Sequence, residues 1–184
     1  MDSQIIILQG GEDVKRRTNE SLIRRVGELS RSKKIMIIPW TSDSGEKEAE
    51  YRTILHGYFS SNGFQEVRFL EREDTERVTV RKFDSVDVVY LPGGDPRALY
   101  EELEKRSLQD RLREFRGIIV GNSAGAIVLS RGAKEGETFY PGFGLVDFFI
   151  SVHYSLHEEP ISGTDGKIIV NIPENMWIAV AGKR

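Results

Sequence analysis

The chain has 184 residues, 39% hydrophobic and 30% charged, with a formal net charge of −3 and no cysteine. That is enough apolar chain for one well-buried core, so a single domain over residues 1–184 is expected. The lack of cysteine excludes disulfides, thiolate metal sites and a thiol nucleophile, and the mildly acidic balance gives no reason to expect a nucleic-acid partner.

Ile5-Ile6-Ile7-Leu8 reads as a first strand, too short for a membrane span and without the cationic start of a signal peptide. A cytoplasmic location and no membrane partner are therefore expected. Lys15, Arg16, Arg17, Arg24 and Arg25 gather next, but they interleave with Leu22, Ile23, Val26 and Leu29 at helical spacing. This is the pattern of a helix with a solvated basic face, not of a binding patch. Asn19-Glu20-Ser21 matches a glycosylation acceptor but means nothing without an export signal.

Residues 35–38, stopped by Pro39, form a second strand; a helix carrying Ile54, Leu55, Tyr58 and Phe59 closes at Asn62-Gly63, and residues 67–70 make a third strand. Residues 86–91 form a further apolar strand ended by Pro92-Gly93-Gly94, with Pro96 where a first helical turn accepts it. The helix after it spaces Glu101/Lys105 and Glu102/Arg106 for pairing on one exposed face. Ile118-Ile119-Val120 then feeds into Gly121-Asn122-Ser123-Ala124-Gly125. Alternation of short β-branched runs with amphipathic stretches predicts an α/β fold, a mostly parallel doubly wound sheet flanked by helices. Beyond Leu129 the glycines 132, 136, 142 and 144 break up the chain. Short strands over 148–152, 167–172 and 177–180 are expected to extend the sheet and wall a cleft.

The chemistry concentrates at Ser123. A serine hydroxyl needs exposure, a base and donors for the developing oxyanion. Two glycines flank this serine at the spacing of a nucleophile elbow, between a strand and a helix start. The first turn of that helix offers the Ala124 N–H and a positive dipole end. Gly93-Gly94 sits at a second strand end, where backbone N–H groups approach a ligand closely, although a plain turn also explains the pair. His56 lies among helix residues and reads as structural or surface. His153 ends an apolar strand and reaches the edge that carries Ser123. A metal site of His153, His157 and Glu158 is disfavoured because the segment lacks helical character and Pro160 follows closely. No metal and no cofactor are expected.

Four blocks now resemble one family: Gly-Asn-Ser-Ala-Gly-Ala at 121–126, Leu-Pro-Gly-Gly-Asp at 91–95, Val-His-Tyr at 152–154 and Ile-Pro-Glu-Asn-Met-Trp at 172–177. Together they look like the peptidase E (aspartyl dipeptidase) and cyanophycinase family of serine peptidases. Gly10-Gly11-Glu12-Asp13 is closer to the cyanophycinase branch. The resemblance implies a class I glutamine amidotransferase-like, flavodoxin-like sandwich. It implies Ser123 as nucleophile, His153 as general base and Glu174 as orienting acid; on the residues alone, Asp147, Glu158 and Asp165 are rival third members. It also implies an oxyanion hole from the Gly94 and Ala124 N–H groups, and substrate contacts at Gly93, Asp95 and Tyr154. The order Ser, His, Glu differs from the Ser, Asp, His of α/β-hydrolases, and no histidine follows His157 to serve that order.

The expected substrate is a short peptide, and the chain is compatible with a monomer or a homodimer. Residues 153–172 carry Glu158, Glu159 and Asp165 with Lys167 as the sole basic residue, so an arginine fork for a substrate aspartate is not evident. A non-catalytic amidotransferase-like binding protein and an amidase or esterase are the alternatives. Retention of serine, histidine and carboxylate together argues against the first.

Overall fold

A computed structural model gives the fold and describes residues 4–42, 44–155 and 168–181. Among these, a six-stranded sheet is ordered β10-β1-β5-β4-β2-β3. The strands are β1 (Ile5–Gln9), β2 (Lys34–Ile37), β3 (Glu66–Phe69), β4 (Val88–Leu91), β5 (Ile118–Asn122) and β10 (Trp177–Ala181). All pair in parallel except β10, which runs antiparallel to β1 with Gln9 opposite Trp177.

Side chains alternate across the pleat, and both faces are covered. Ile7, Ile35, Ile37, Val88, Tyr90 and Val120 point to one core, which Leu22, Ile23 and Val26 of α1 (Glu20–Leu29) and Leu55, Tyr58 and Phe59 of α2 (Gly45–Ser61) complete. Ile6, Leu8, Met36, Val89, Leu91 and Ile119 point to the other. That second core is closed by Phe83 of α3 (Glu76–Asp84), Leu99 and Leu103 of α4 (Pro96–Lys105), Leu108 and Leu112 of α5 (Leu108–Glu114), and residues 126–129 of α6 (Ala124–Leu129).

Four details differ from the sequence reading. Leu29 is 42% exposed, because the buried stripe of α1 ends at Val26 and Gly27. The α4 pair Glu102/Arg106 forms at 2.8 Å but is mostly buried, its guanidinium lying over the Trp40 ring, and Lys105 reaches Glu102 rather than Glu101. Helices α3 and α5 are additional to those predicted. Of the C-terminal strands, only β10 extends the central sheet: β8 (Phe149–Tyr154) and β9 (Ile169–Pro173) form a separate parallel pair, preceded by the hairpin of β6 (Gly132–Glu135) and β7 (Thr138–Pro141). Among the described residues, no helix is long and apolar enough to cross a membrane.

The parallel arrangement brings the carboxyl ends of β1, β5, β4 and β2 to one edge. Along that edge lie Gly10-Gly11, Ser123, Gly93-Gly94 and the segment from Pro39 to Ser42, in that order.

Candidate active site

Ser123 occupies the single residue between β5 and α6, with φ 47° and ψ −104°. A non-glycine residue rarely adopts this backbone, and surrounding contacts must hold it. The Ser123 N–H donates to the Gln9 carbonyl at 3.1 Å, and the Ser123 carbonyl accepts from Ile127 N–H at 2.9 Å. The flanking glycines are required by close packing: a Cβ on Gly121 would lie 2.6 Å from the Gly125 carbonyl carbon, and one on Gly125 would lie 2.2 Å from the Leu91 oxygen. Helix α6 has only six residues, so the elbow offers the Ala124 N–H itself more than a long helix dipole.

His153 comes from β8, at an irregularity in its pairing with β9 that gives the residue φ 54°. Its backbone N–H donates to the Gly10 carbonyl at 2.7 Å. Glu174 lies in the turn between β9 and β10, where Asn175 N–H donates to Gly11 O at 2.9 Å and Gly10 N–H to Met176 O at 3.0 Å. The Gly10-Gly11 turn therefore clamps the histidine segment and the glutamate segment together. The side chains join in one line: Ser123 Oγ lies 2.7 Å from His153 Nε2, and His153 Nδ1 lies 2.5 Å from Glu174 Oε2. A proton on Nδ1, donated to the carboxylate, leaves Nε2 free to accept from the serine. Both partners are about half exposed, so substrate and water reach them.

The position of Gly11 was read from sequence only as part of a resemblance, and the structure gives it a steric role. A Cβ there would lie 2.4 Å from Glu174 Oε2 and 2.5 Å from His153 Nδ1. The detectable signal was a glycine pair closing the first strand. Behind this turn Glu12 accepts hydrogen bonds from the Tyr58 hydroxyl, from Gln9 Nε2 at 3.1 Å and from Asn19 N–H at 3.3 Å. Burial, aided slightly by nearby Asp13, outweighs those bonds and holds its carboxyl above the ordinary range. Glu12 ties the turn to α1 and α2.

On the other side of Ser123, Gly93 comes so close that a Cβ on it would lie 3.5 Å from the serine Cβ. Gly94 adopts φ 138°, and Thr41 fixes the turn: its hydroxyl donates to the Gly93 carbonyl at 2.9 Å, and its own carbonyl accepts from Asp95 N–H at 2.9 Å. The Asp95 carboxylate accepts from Arg97 N–H at 2.8 Å and Ala98 N–H at 3.3 Å, capping α4. Tyr154 follows His153 and is opposite Pro173 in the β8–β9 pair.

Of the rival carboxylates, Asp147 is largely exposed and pairs with Arg131. Glu158 and Asp165 lie outside the described residues, as does His157 of the disfavoured metal site. His153 engages Ser123 and Glu174 through its two ring nitrogens, and among the described residues no cluster of three or more His, Asp or Glu is placed to hold a metal. His56 is exposed on α2.

Comparison with known proteins places this geometry in context. The sequence profile described as Peptidase family S51 matches residues 5–184. A peptidase from an acI-B1 Actinobacterium superposes with a TM-score of 0.73 at 19% identity, covering 98% of this chain and 84% of that one. A putative peptidase E protein from Listeria monocytogenes EGD-e superposes with a TM-score of 0.70 at 20% identity, covering 99% and 96%. At these identities the likeness is one of fold. The pyridoxal 5'-phosphate synthase subunit PdxT of Francisella philomiragia is 37% identical over 54 residues, 28% of this chain and 30% of that protein, so the match spans less than a third of its length.

Proposed function

The chain belongs to peptidase family S51, and from that premise we propose that it is a serine peptidase that hydrolyses short peptides through Ser123, His153 and Glu174. The observation that carries this reading is the unbroken hydrogen-bonded line from serine to imidazole to carboxylate, 2.7 Å and 2.5 Å. In it, Ser123 Oγ attacks the scissile carbonyl while His153 Nε2 takes the hydroxyl proton. Glu174 holds the imidazole in the tautomer that presents a free Nε2, and stabilises the imidazolium once formed. The carbonyl oxygen, now an oxyanion, is received by the N–H groups of Gly94 and Ala124. His153 then returns the proton to the departing amine, and water repeats the sequence to release the acyl group.

Short peptides suit the site because the described chain leaves it open at a sheet edge. The test is hydrolysis of a dipeptide panel by the native protein and by Ser123→Ala, His153→Ala and Glu174→Gln. The first two should lose on the order of 10⁴-fold or more in kcat, and the third a comparable amount through the wrong histidine tautomer. Native activity that survives Ser123→Ala would refute the reading.

A further inference from the structure

Beyond Gly93 and Gly94, on the side away from His153, a cleft of about 320 Å³ opens between the sheet edge and α2. Its walls include Pro39, Tyr51 and Ile54. We infer that this cleft receives the side chain on the acyl side of the scissile bond, and that it selects an apolar side chain over a charged one. The inference rests on the serine peptidase reading above.

The orientation follows from proton transfer. The leaving amine must take its proton from His153 Nε2, so the amine half of the substrate lies toward the Gly10-Gly11 side of Ser123. The oxyanion points to the donors, and the remaining substituent of the tetrahedral carbon, the acyl side, points away from the imidazole. Away from the imidazole lies Gly93, where an added Cβ would sit 3.5 Å from the serine Cβ, and then the cleft that Gly93 and Gly94 help to line. A volume at the lower end of ligand pockets fits one side chain better than a longer segment.

The selectivity follows from the lining. Four charged residues border the cleft, and their charges cancel: Lys15 and Lys47 against Glu48 and Glu50. Lys15 is already bonded to Glu50 at 2.9 Å, and Glu48 is bonded to Arg52 at 2.8 Å and to Arg72 at 2.5 Å. Among the described residues, no arginine lines the cleft to offer a carboxylate a bidentate partner. Lys47 stands exposed, where its ammonium keeps its water, so a substrate carboxylate entering the cleft would lose hydration without a buried partner, whereas a leucine or phenylalanine would bury carbon against Pro39, Tyr51 and Ile54.

The experiment compares kcat/KM for Leu, Phe, Ala, Asp and Lys p-nitroanilides, which share one leaving group, alongside labelling of Ser123 by a fluorophosphonate. The Leu or Phe substrate should exceed both Ala and Asp by at least tenfold, and Ile54→Ala should reduce the Leu-to-Ala ratio at least threefold. Gly57→Ala, on the exposed face of the same helix where an added methyl meets no atom within 4 Å, should keep the native ratio. Labelling accompanied by an Asp preference, by equal rates across the panel or by an Ile54→Ala ratio equal to native overturns the cleft assignment and leaves the peptidase reading intact. Absence of both labelling and cleavage overturns that reading and the inference with it.

Discussion

Substituting Gly11 by alanine should disable the site without unfolding the chain. Gly11 has no left-handed backbone, so alanine suits its conformation and the effect is steric. The new methyl would lie 2.4 Å from Glu174 Oε2 and 2.5 Å from His153 Nδ1, where ordinary contact begins at 3.4 Å. The carboxylate or the imidazole must therefore withdraw by about 1 Å, and a misplacement of that size costs roughly 10²-fold in rate. Because both side chains are about half exposed, they have room to swing outward, and the stability cost should stay within about 1 kcal/mol. The assay pairs kcat/KM on a short peptide with a thermal melt. A rate within about threefold of native would refute the argument that Gly11 sets the spacing of the histidine–glutamate pair; a collapsed melting temperature would show that the turn is structural instead.

Three further outcomes test the surrounding chemistry. Asp87 accepts bonds from the Ser30 hydroxyl at 2.7 Å and from the Arg31 N–H, Ser32 N–H and Ser32 hydroxyl at 2.6, 3.1 and 2.6 Å. Burial alone would raise its pKa, but these bonds together hold it below the ordinary range. Its contribution is therefore present above about pH 4 and lost as pH falls through the depressed value, and Asp87→Asn should remove about 1–2 kcal/mol at pH 7 and flatten that acid limb in urea titrations. Glu12 carries the opposite sign: its raised pKa makes the folded state bind the proton more tightly, so stability declines as pH rises from about 4 through the raised value. Glu12→Gln should abolish that decline, because a rotated Gln9 amide can present its buried, unpaired Oε1 to the new amide; parallel pH curves would contradict this. Gly57→Ala should stabilise α2 by about 0.5–1 kcal/mol in chemical denaturation, since the helix gains propensity and the methyl meets no neighbour.

The parallel strands were legible because a sheet buried on both faces demands continuous β-branched runs, and residues 5–8, 35–38, 86–91 and 118–120 supply them. Helix α3 was not, because it buries only Thr79 and Phe83 and places two further β-branched valines among charges. Helix α5 is a seven-residue segment entered through Ser107 at φ 54°, too short for periodicity to reveal. The strands β8 and β9 were visible as apolar runs, but their pairing with each other instead of with the central sheet depends on partners distant in sequence. The elbow around Ser123 could be read locally, since glycine spacing and strand context lie within a few residues. The steric demand on Gly11 could not, because it exists only once β8 and the turn after β9 converge on the end of β1.

The most direct test of the central claim is intact-mass and peptide mapping of the native protein after exposure to a fluorophosphonate. Activation of Ser123 by His153 predicts one stoichiometric adduct on Ser123, absent in Ser123→Ala and strongly slowed in His153→Ala. A native protein that stays unlabelled, or that carries the adduct on another residue, would contradict the account.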